Sequence, residues 1–398
     1  MKQKIMILGA SILQLPAIQK AKKMGITTIV VDQDKDAIGA KEADVFLPIS
    51  TIDSKKALEA AQKYKINGIM TLASDMPMRT VARVSQALGL TGIDEKTAIC
   101  ATDKVEMREV LRKYGIPIPQ FYYTDDYQEY LKIVKCFQNK FIVKPSDNSG
   151  SRGIYLVDKQ ENIKKAFEYS QSHSHEGTVL VEEYMEGPEV SVEALTIEGE
   201  TTVIAITDKL TTGAPYFVEM GHSQPSIFSK SIQEAIIKTT LLTIEAIGIK
   251  NGPSHTEIKI TNEGPKVVEI GARLGGDNIT SYLVPLSTGI DMIESCIKIA
   301  LGEKTNIKRL FNKGAAIRYL NPRKGKVIGI SGVEEAKQTR GIKNLTIRLK
   351  TGDFISEINH SNARIGYAIA QDETVSQAVI DCEKAIKKIK ICLKEDNQ

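Results

Sequence analysis

The stretch Ser254-His-Thr-Glu-Ile-Lys-Ile-Thr-Asn-Glu-Gly-Pro-Lys-Val-Val-Glu-Ile-Gly-Ala-Arg-Leu-Gly-Gly-Asp277 reads as two strands joined by a turn at Asn262-Glu263-Gly264. Apolar and polar residues alternate on the first arm. Gly264 supplies the left-handed position that a three-residue hairpin loop requires. With Glu263 at the centre of the turn, Glu257 falls opposite Glu269 on one face. Two carboxylates about 5 Å apart across a ladder repel each other, so a cation between them is the economical arrangement. An all-oxygen pair suits Mg2+, which is bound by one or two carboxylates plus substrate phosphates. Arg273 and then Gly275-Gly276 follow at once, which places a metal pair, a cation and a permissive backbone in one segment. Taken alone, the stretch favours a surface hairpin whose two glutamates point into water, so the rest of the chain has to supply the context.

At 398 residues the chain is long enough for two or three domains. A net charge of +4 spread over this length, with no basic run interleaved with aromatics, argues against a nucleic-acid surface. Cys100, Cys136, Cys296, Cys382 and Cys392 form no CxxC pair and have no zinc spacing, which points to structural thiols in a reducing cytoplasm. No apolar run is long enough to span a membrane.

Working towards the N-terminus, residues 4–9 read as a buried strand and Gly9-Ala10-Ser11 as a turn into a helix reaching Met24. Thr27–Val31 ends at Asp32, and Gly68–Leu72 ends at Ser74-Asp75. This β-α-β-α-β order predicts a small parallel sheet up to about residue 100. Only Gly9 of a dinucleotide fingerprint is present, and the fold alone accounts for Gly9 and Asp32. Thr102-Asp103 caps a helix with Lys104 in its first turn, where a lysine opposes the helix dipole. Phe141-Ile-Val-Lys144 runs into Pro145-Ser-Asp-Asn-Ser-Gly-Ser-Arg-Gly153 and back into a strand. Such a Gly/Ser loop can wrap N–H groups around phosphate oxygens, or be a plain hairpin tip. Val181-Glu-Glu-Tyr-Met185, a kink at Gly187-Pro188 and Glu189 follow. A helix is expected over 231–247 and another near 290–301. Beyond residue 306 come short strands at Ala315–Tyr319, Lys326–Ile330, Leu345–Leu349 and Arg364–Ile369, then a terminal helix over 374–392.

In this order the motifs resemble the ATP-grasp superfamily over nearly the whole chain. The resemblance implies an α/β (α+β) protein with three parts. These are a Rossmann-like domain over 1–100, an ATP-grasp domain of two subdomains over 101–305 with ATP between them, and a small α+β domain over 306–398. It implies that Lys104 and Lys144 contact nucleotide phosphates and that Ser149, Gly150, Ser151 and Gly153 belong to a loop closing over them. Glu182, with the backbone of Glu183, Tyr184 and Met185, would hold the adenine edge, and Glu189 the ribose. Glu257 and Glu269 would hold Mg2+, with Mn2+ as an alternative ion, and Arg273 would face the transferred phosphoryl group. The family pattern has Asn two residues after the second metal glutamate, where this chain has Gly271.

Phe217-Val-Glu-Met-Gly-His222-Ser-Gln-Pro225 and Ala272–Asp277 look like the L-amino-acid ligase group. That likeness implies that His222 lies near an acyl phosphate. Gly275 and Gly276 would offer N–H groups to a carboxylate, and Lys209 and Arg318 would lie on the substrate side. The expectation is a cytoplasmic ligase, dependent on ATP and Mg2+, that joins a small-molecule carboxylate to an amine. Its partners would include no nucleic acid and no membrane, and the family implies a homodimer. Two other classes compete: a purine- or carbamoyl-phosphate-type ligase on the same core, and a nucleotide-binding protein without catalysis.

Overall fold

The computed structural model describes residues 2–148, 150 and 152–394. Four parallel strands open the chain, in the spatial order Val45–Leu47, Thr27–Val31, Lys4–Leu8, Gly68–Thr71. The apolar runs of Thr27–Val31, Lys4–Leu8 and Gly68–Thr71 are buried on both faces, as a parallel sheet requires, while the edge strand Val45–Leu47 is half-buried. Ile5 and Ile7 enter one core with Ala17 and Ile18, while Met6 and Leu8 enter another with Ala57 and Val81. The helix expected from residue 11 starts at Leu15, because Ser11 to Gln14 are used in a turn. Gln14 occupies the space beside Gly9 and donates to the Leu72 carbonyl at 2.5 Å. Asp32 accepts from the Ala10 N–H at 2.7 Å. Both residues of the partial dinucleotide fingerprint therefore serve the turn itself.

A second, four-stranded antiparallel sheet has the order Phe121–Thr124, Val179–Glu183, Phe141–Pro145, Tyr155–Val157. It carries its own core around Tyr130, Phe141 and Phe167. The largest sheet has eight antiparallel strands: Gly264–Gly271, Gly252–Thr261, Glu189–Ile197, Glu200–Thr211, Glu219–Gln224, Gly314–Tyr319, Gly366–Asp372 and Ile342–Ile347. Its last three strands come from the region beyond residue 306, joined through Glu219–Gln224 and Gly314–Tyr319. The C-terminal segment thus continues the central sheet. The terminal helix runs over Val375–Lys388 and ends earlier than expected. Lys390–Leu393 is a strand on Gly325–Ser331, because Ile391 and Leu393 alternate into a small core with Val327 and Ile355.

The hairpin is confirmed, but its loop is shorter than expected. Thr261 pairs with Gly264, leaving Asn262-Glu263 as a two-residue turn. The register then shifts by one between Ile258↔Val267 and Glu257↔Glu269. A bulge at Val268 therefore makes the glutamates face each other, where the sequence had suggested a three-residue loop. No helix among the described residues is long and apolar enough to cross a membrane.

Candidate functional site

A cleft of about 900 Å3 runs between the two antiparallel sheets and is lined in part by the N-terminal turns. Its charged residues sort into three groups.

The first group surrounds Glu182, which is buried and fixed by Arg108 Nε at 2.6 Å and Lys144 Nζ at 2.6 Å. Burial opposes ionisation of this carboxyl, but Arg108 and Lys144 outweigh it and bring its pKa down to about 2. Burial pushes the Lys144 ammonium below the ordinary lysine value, with Arg108 and Lys104 adding to the effect against Glu182. Lys104 is buried at the start of its helix, which Asp103 caps through the Val105 and Glu106 N–H groups. Its Nζ donates to the Asn148 carbonyl at 2.6 Å and to Glu269 at 3.3 Å. Arg108 was not foreseen. It lies four residues after Lys104 on the same face of the helix, with Met107 and Leu111, and that spacing was its one available signal. Its Nη2 donates to the Val268 carbonyl at 2.7 Å and so holds the bulge.

The second group surrounds Lys209, whose side chain is only 3% exposed. It meets Glu189 at 2.5 Å, Glu257 at 3.2 Å and Glu219 at 3.7 Å. Burial works against its charge, but the three carboxylates raise its pKa well above that of an ordinary lysine. Glu257 is held well below the usual carboxylate range by Lys209 and His255, in spite of burial. His255 in turn donates to Glu193 at 2.5 Å. Glu257 and Glu269 thus face each other from adjacent strands, each with a lysine at hand. Among the described residues no cluster of three or more His, Cys, Asp or Glu has the geometry to hold a metal unaided. An oxygen-only pair still fits an ion that takes its other ligands from phosphates and water.

The third group lies at the far end. His222 Nε2 is 3.3 Å from Asp277, and Arg364 clamps the same carboxylate with two contacts of 2.6 Å. Burial opposes ionisation of Asp277, but His222 and Arg364 hold its pKa below the usual range. Arg364 also stacks over Tyr319, 4.0 Å from the ring centroid. The sequence marked Arg364 only as the start of a strand, and no motif identifies it.

The other expected residues are placed as follows. Gly150 and Gly153 have positive φ, and Gly153 packs on His173. Ser149 and Ser151 lie outside the described residues. The Glu183 and Tyr184 N–H groups are donated to Gln120 and Lys140 carbonyls, while Met185 lies buried on the cleft wall. Glu189 pairs with Lys209 and lies 3.5 Å from Lys259. Gly275 is confined by the His255–Glu193 pair, since a Cβ would come within 2.6 Å of Nδ1; Gly276 has room. Arg273 is buried against Asp75, which contacts it at 2.7 and 3.1 Å. The expectation for Arg318 is corrected. Its Nη1 donates to the Ile317 and His222 carbonyls, and its side chain covers Gly221. Strand alternation sends Arg318 to the face opposite its neighbour Tyr319, which lines the cleft.

Comparison with known proteins matches three stretches. Residues 18–92 match an ATP-grasp N-terminal domain, 137–281 an ATP-grasp domain, and 318–394 an L-amino acid ligase C-terminal domain 2. An uncharacterised protein, y4rH, of Sinorhizobium fredii is 27% identical over 334 residues, or 82% of this chain and 68% of that protein. A phosphoribosylamine–glycine ligase of Methanococcus vannielii is 24% identical over 403 aligned residues, covering 92% of this chain and 88% of its own length. The crystal structure of an L-amino acid ligase from Bacillus licheniformis superposes with a TM-score of 0.85 at 21% identity, covering 99% of each chain. At that identity the likeness bears on the fold.

Proposed function

The chain belongs to the ATP-grasp superfamily as an enzyme of the carboxylate–amine ligase type, and from that premise we propose that it joins an amino-acid carboxylate to an amine with ATP and Mg2+. The carrying observation is the bulged register that sets Glu257 against Glu269, with Lys104 on one carboxylate and Lys209 on the other.

Lys104 and Lys144 hold the phosphates, and Glu182 keeps both Lys144 and Arg108 in place. The glycine-rich segment with Gly150 and Gly153 lies over the phosphates and keeps water out. With the Glu183 and Tyr184 N–H groups taken by the Gln120 and Lys140 carbonyls, the backbone at Met185 takes the adenine edge, and Glu189 the ribose. When bound, Mg2+ supplies charge neutralisation among the phosphate oxygens, and Glu257 and Glu269 are the residues that hold it. Arg273 steadies the charge on the group in flight. A substrate carboxylate oxygen bonds to the γ-phosphorus as the bond to the bridging β–γ oxygen breaks, giving an acyl phosphate and ADP. The free amine then attacks the acyl carbon. The C–O bond to phosphate breaks, the amine gives up a proton, and the amide forms. His222 and Asp277 stand together at the substrate end of the cleft, and the N–H groups of Gly275 and Gly276 receive the substrate carboxylate. Lys209 orders the carboxylates of Glu189, Glu257 and Glu219. The enzyme works in a reducing cytoplasm, and the family resemblance implies a homodimer. The Methanococcus relative favours a second reading, a purine-type ligase with a phosphoribosyl amine as acceptor.

The test is a screen of ADP and phosphate release against amino acids singly and in pairs, with hydroxylamine trapping acyl phosphate. Turnover with an amino-acid pair is expected, and Glu269→Gln should lower it by about 10²-fold or more with the fold intact. Silence with every amino-acid pair, and turnover with a phosphoribosyl amine plus glycine or with bicarbonate, would overturn the amino-acid reading. Full activity of Glu269→Gln would remove the metal assignment.

A further inference from the structure

Asp75 and Arg273 stand 198 residues apart and meet across the boundary between the parallel sheet and the central sheet. Oδ1 of Asp75 accepts from Arg273 Nε at 2.7 Å and Oδ2 accepts from Nη2 at 3.1 Å. The side chains are only 11% and 14% exposed. A two-point pairing fixes the plane of a guanidinium as well as its position. Ala73, two residues earlier, has φ of +58°, a conformation uncommon for a residue with a side chain. Such backbone persists where the surrounding structure requires it. Here it turns the chain out of the strand Gly68–Thr71 and brings Ser74 and Asp75 onto the cleft wall.

Gly271 completes the arrangement. A Cβ on Gly271 would lie 3.0 Å from Asp75 Oδ1 and 3.4 Å from Arg273 Cγ and Cζ. Alanine would already force the carboxylate to shift, and asparagine adds an amide group beyond that point. The glycine found where the family pattern has asparagine is therefore the space that the Asp75–Arg273 pair occupies.

We propose that Asp75 is a positioning residue for Arg273, and that Gly271 is the opening through which the N-terminal domain reaches the phosphoryl-transfer end of the cleft. The inference rests on the role given to Arg273 above. It makes two features, a glycine at 271 and a carboxylate at 75, parts of one device, so they should be coupled energetically.

The test uses the full chain and the variants Asp75→Ala, Asp75→Asn, Gly271→Asn, Arg273→Ala and the double variant Asp75→Ala/Gly271→Asn. Steady-state kinetics are compared with calorimetric binding of a non-hydrolysable ATP analogue with Mg2+, and thermal melting reports folding. Asp75→Ala should lower kcat by about 10²-fold, the scale of a misplaced catalytic group. The analogue's Kd and the KM for ATP should stay within about threefold, since only transition-state positioning is lost. Asp75→Asn keeps the shape and carries the same expectation should the alanine variant fail to fold. Gly271→Asn should be impaired alone, and the double variant should be less impaired than the product of the two single effects. Wild-type kcat in both Asp75 variants, or strictly multiplicative effects in the double variant, would overturn the inference. Wild-type turnover in Arg273→Ala would instead overturn the phosphoryl role of Arg273. An inactive Arg273→Ala beside fully active Asp75 variants would overturn the positioning role alone.

Discussion

His255 shows how a single side chain is charged by its surroundings. Burial disfavours its imidazolium, but the fully buried Glu193 outweighs burial and raises its pKa from 6.5 to about 9. A raised histidine pKa means that the folded state binds the proton more tightly than the unfolded chain does. The stabilisation is therefore complete below about pH 6.5 and is lost as the pH rises through about 9. In urea melts from about pH 6 to about pH 10, the stability advantage of the wild type over His255→Gln should shrink across that window. A constant difference would remove the assignment. Lys104, Lys144, Glu257 and Glu269 were legible in the sequence because each offends a local rule. A lysine opposes a helix dipole, another interrupts an apolar strand, and two carboxylates face each other. Asp75 and Arg364 offend no local rule. Their meaning comes from Arg273 and Asp277, residues far away in the chain, so only the folded structure shows it.

At the scale of elements, the hairpin was legible but its mechanism was not. Alternation revealed the strands and their facing glutamates. A three-residue loop and a two-residue loop with a later bulge give the same Glu257–Glu269 pairing, and alternation cannot separate them. The bulge is kept by Arg108, which lies on another element. The bend at Gly187 is similarly tied to the hairpin. Gly187 has φ of +132°, and a Cβ there would lie 2.1 Å from the Ile260 carbonyl oxygen. The same contact region holds the Ile260 N–H on Pro188 O at 2.9 Å and Lys259 Nζ on Gly187 O at 3.0 Å. Gly187→Ala should therefore cost about 1–3 kcal/mol, read as a lower melting temperature. An unchanged midpoint would show that the bend and hairpin separate freely. The terminal helix was overextended because Ile389-Lys-Ile-Cys-Leu393 follows a run of good helix formers. The partner strand that claims this segment is more than fifty residues earlier.

At the scale of the molecule, the central sheet crosses the boundary expected near residue 306. Glu219–Gln224 pairs with Gly314–Tyr319, and the segment beyond supplies Arg364 to Asp277 and to the Glu219 carbonyl. A chain ending at residue 305 would expose that strand as an unpaired edge, which templates aggregation. It should elute as aggregate in size-exclusion chromatography, while a monomeric and active 1–305 fragment would show that the third segment is an independent accessory. The sequence by itself determined the order of elements, the parallel N-terminal sheet, the Gly-rich turn after Lys144 and the paired glutamates. Each of these is written in neighbouring residues through periodicity, capping or turn chemistry. Only the tertiary structure decided that Arg108 and Lys144 share Glu182, that Asp75 occupies the space left by Gly271, that Arg318 faces away from the cleft and that the last segment completes the central sheet. These depend on contacts between residues remote in sequence, made by packing and charge pairing that no local pattern encodes.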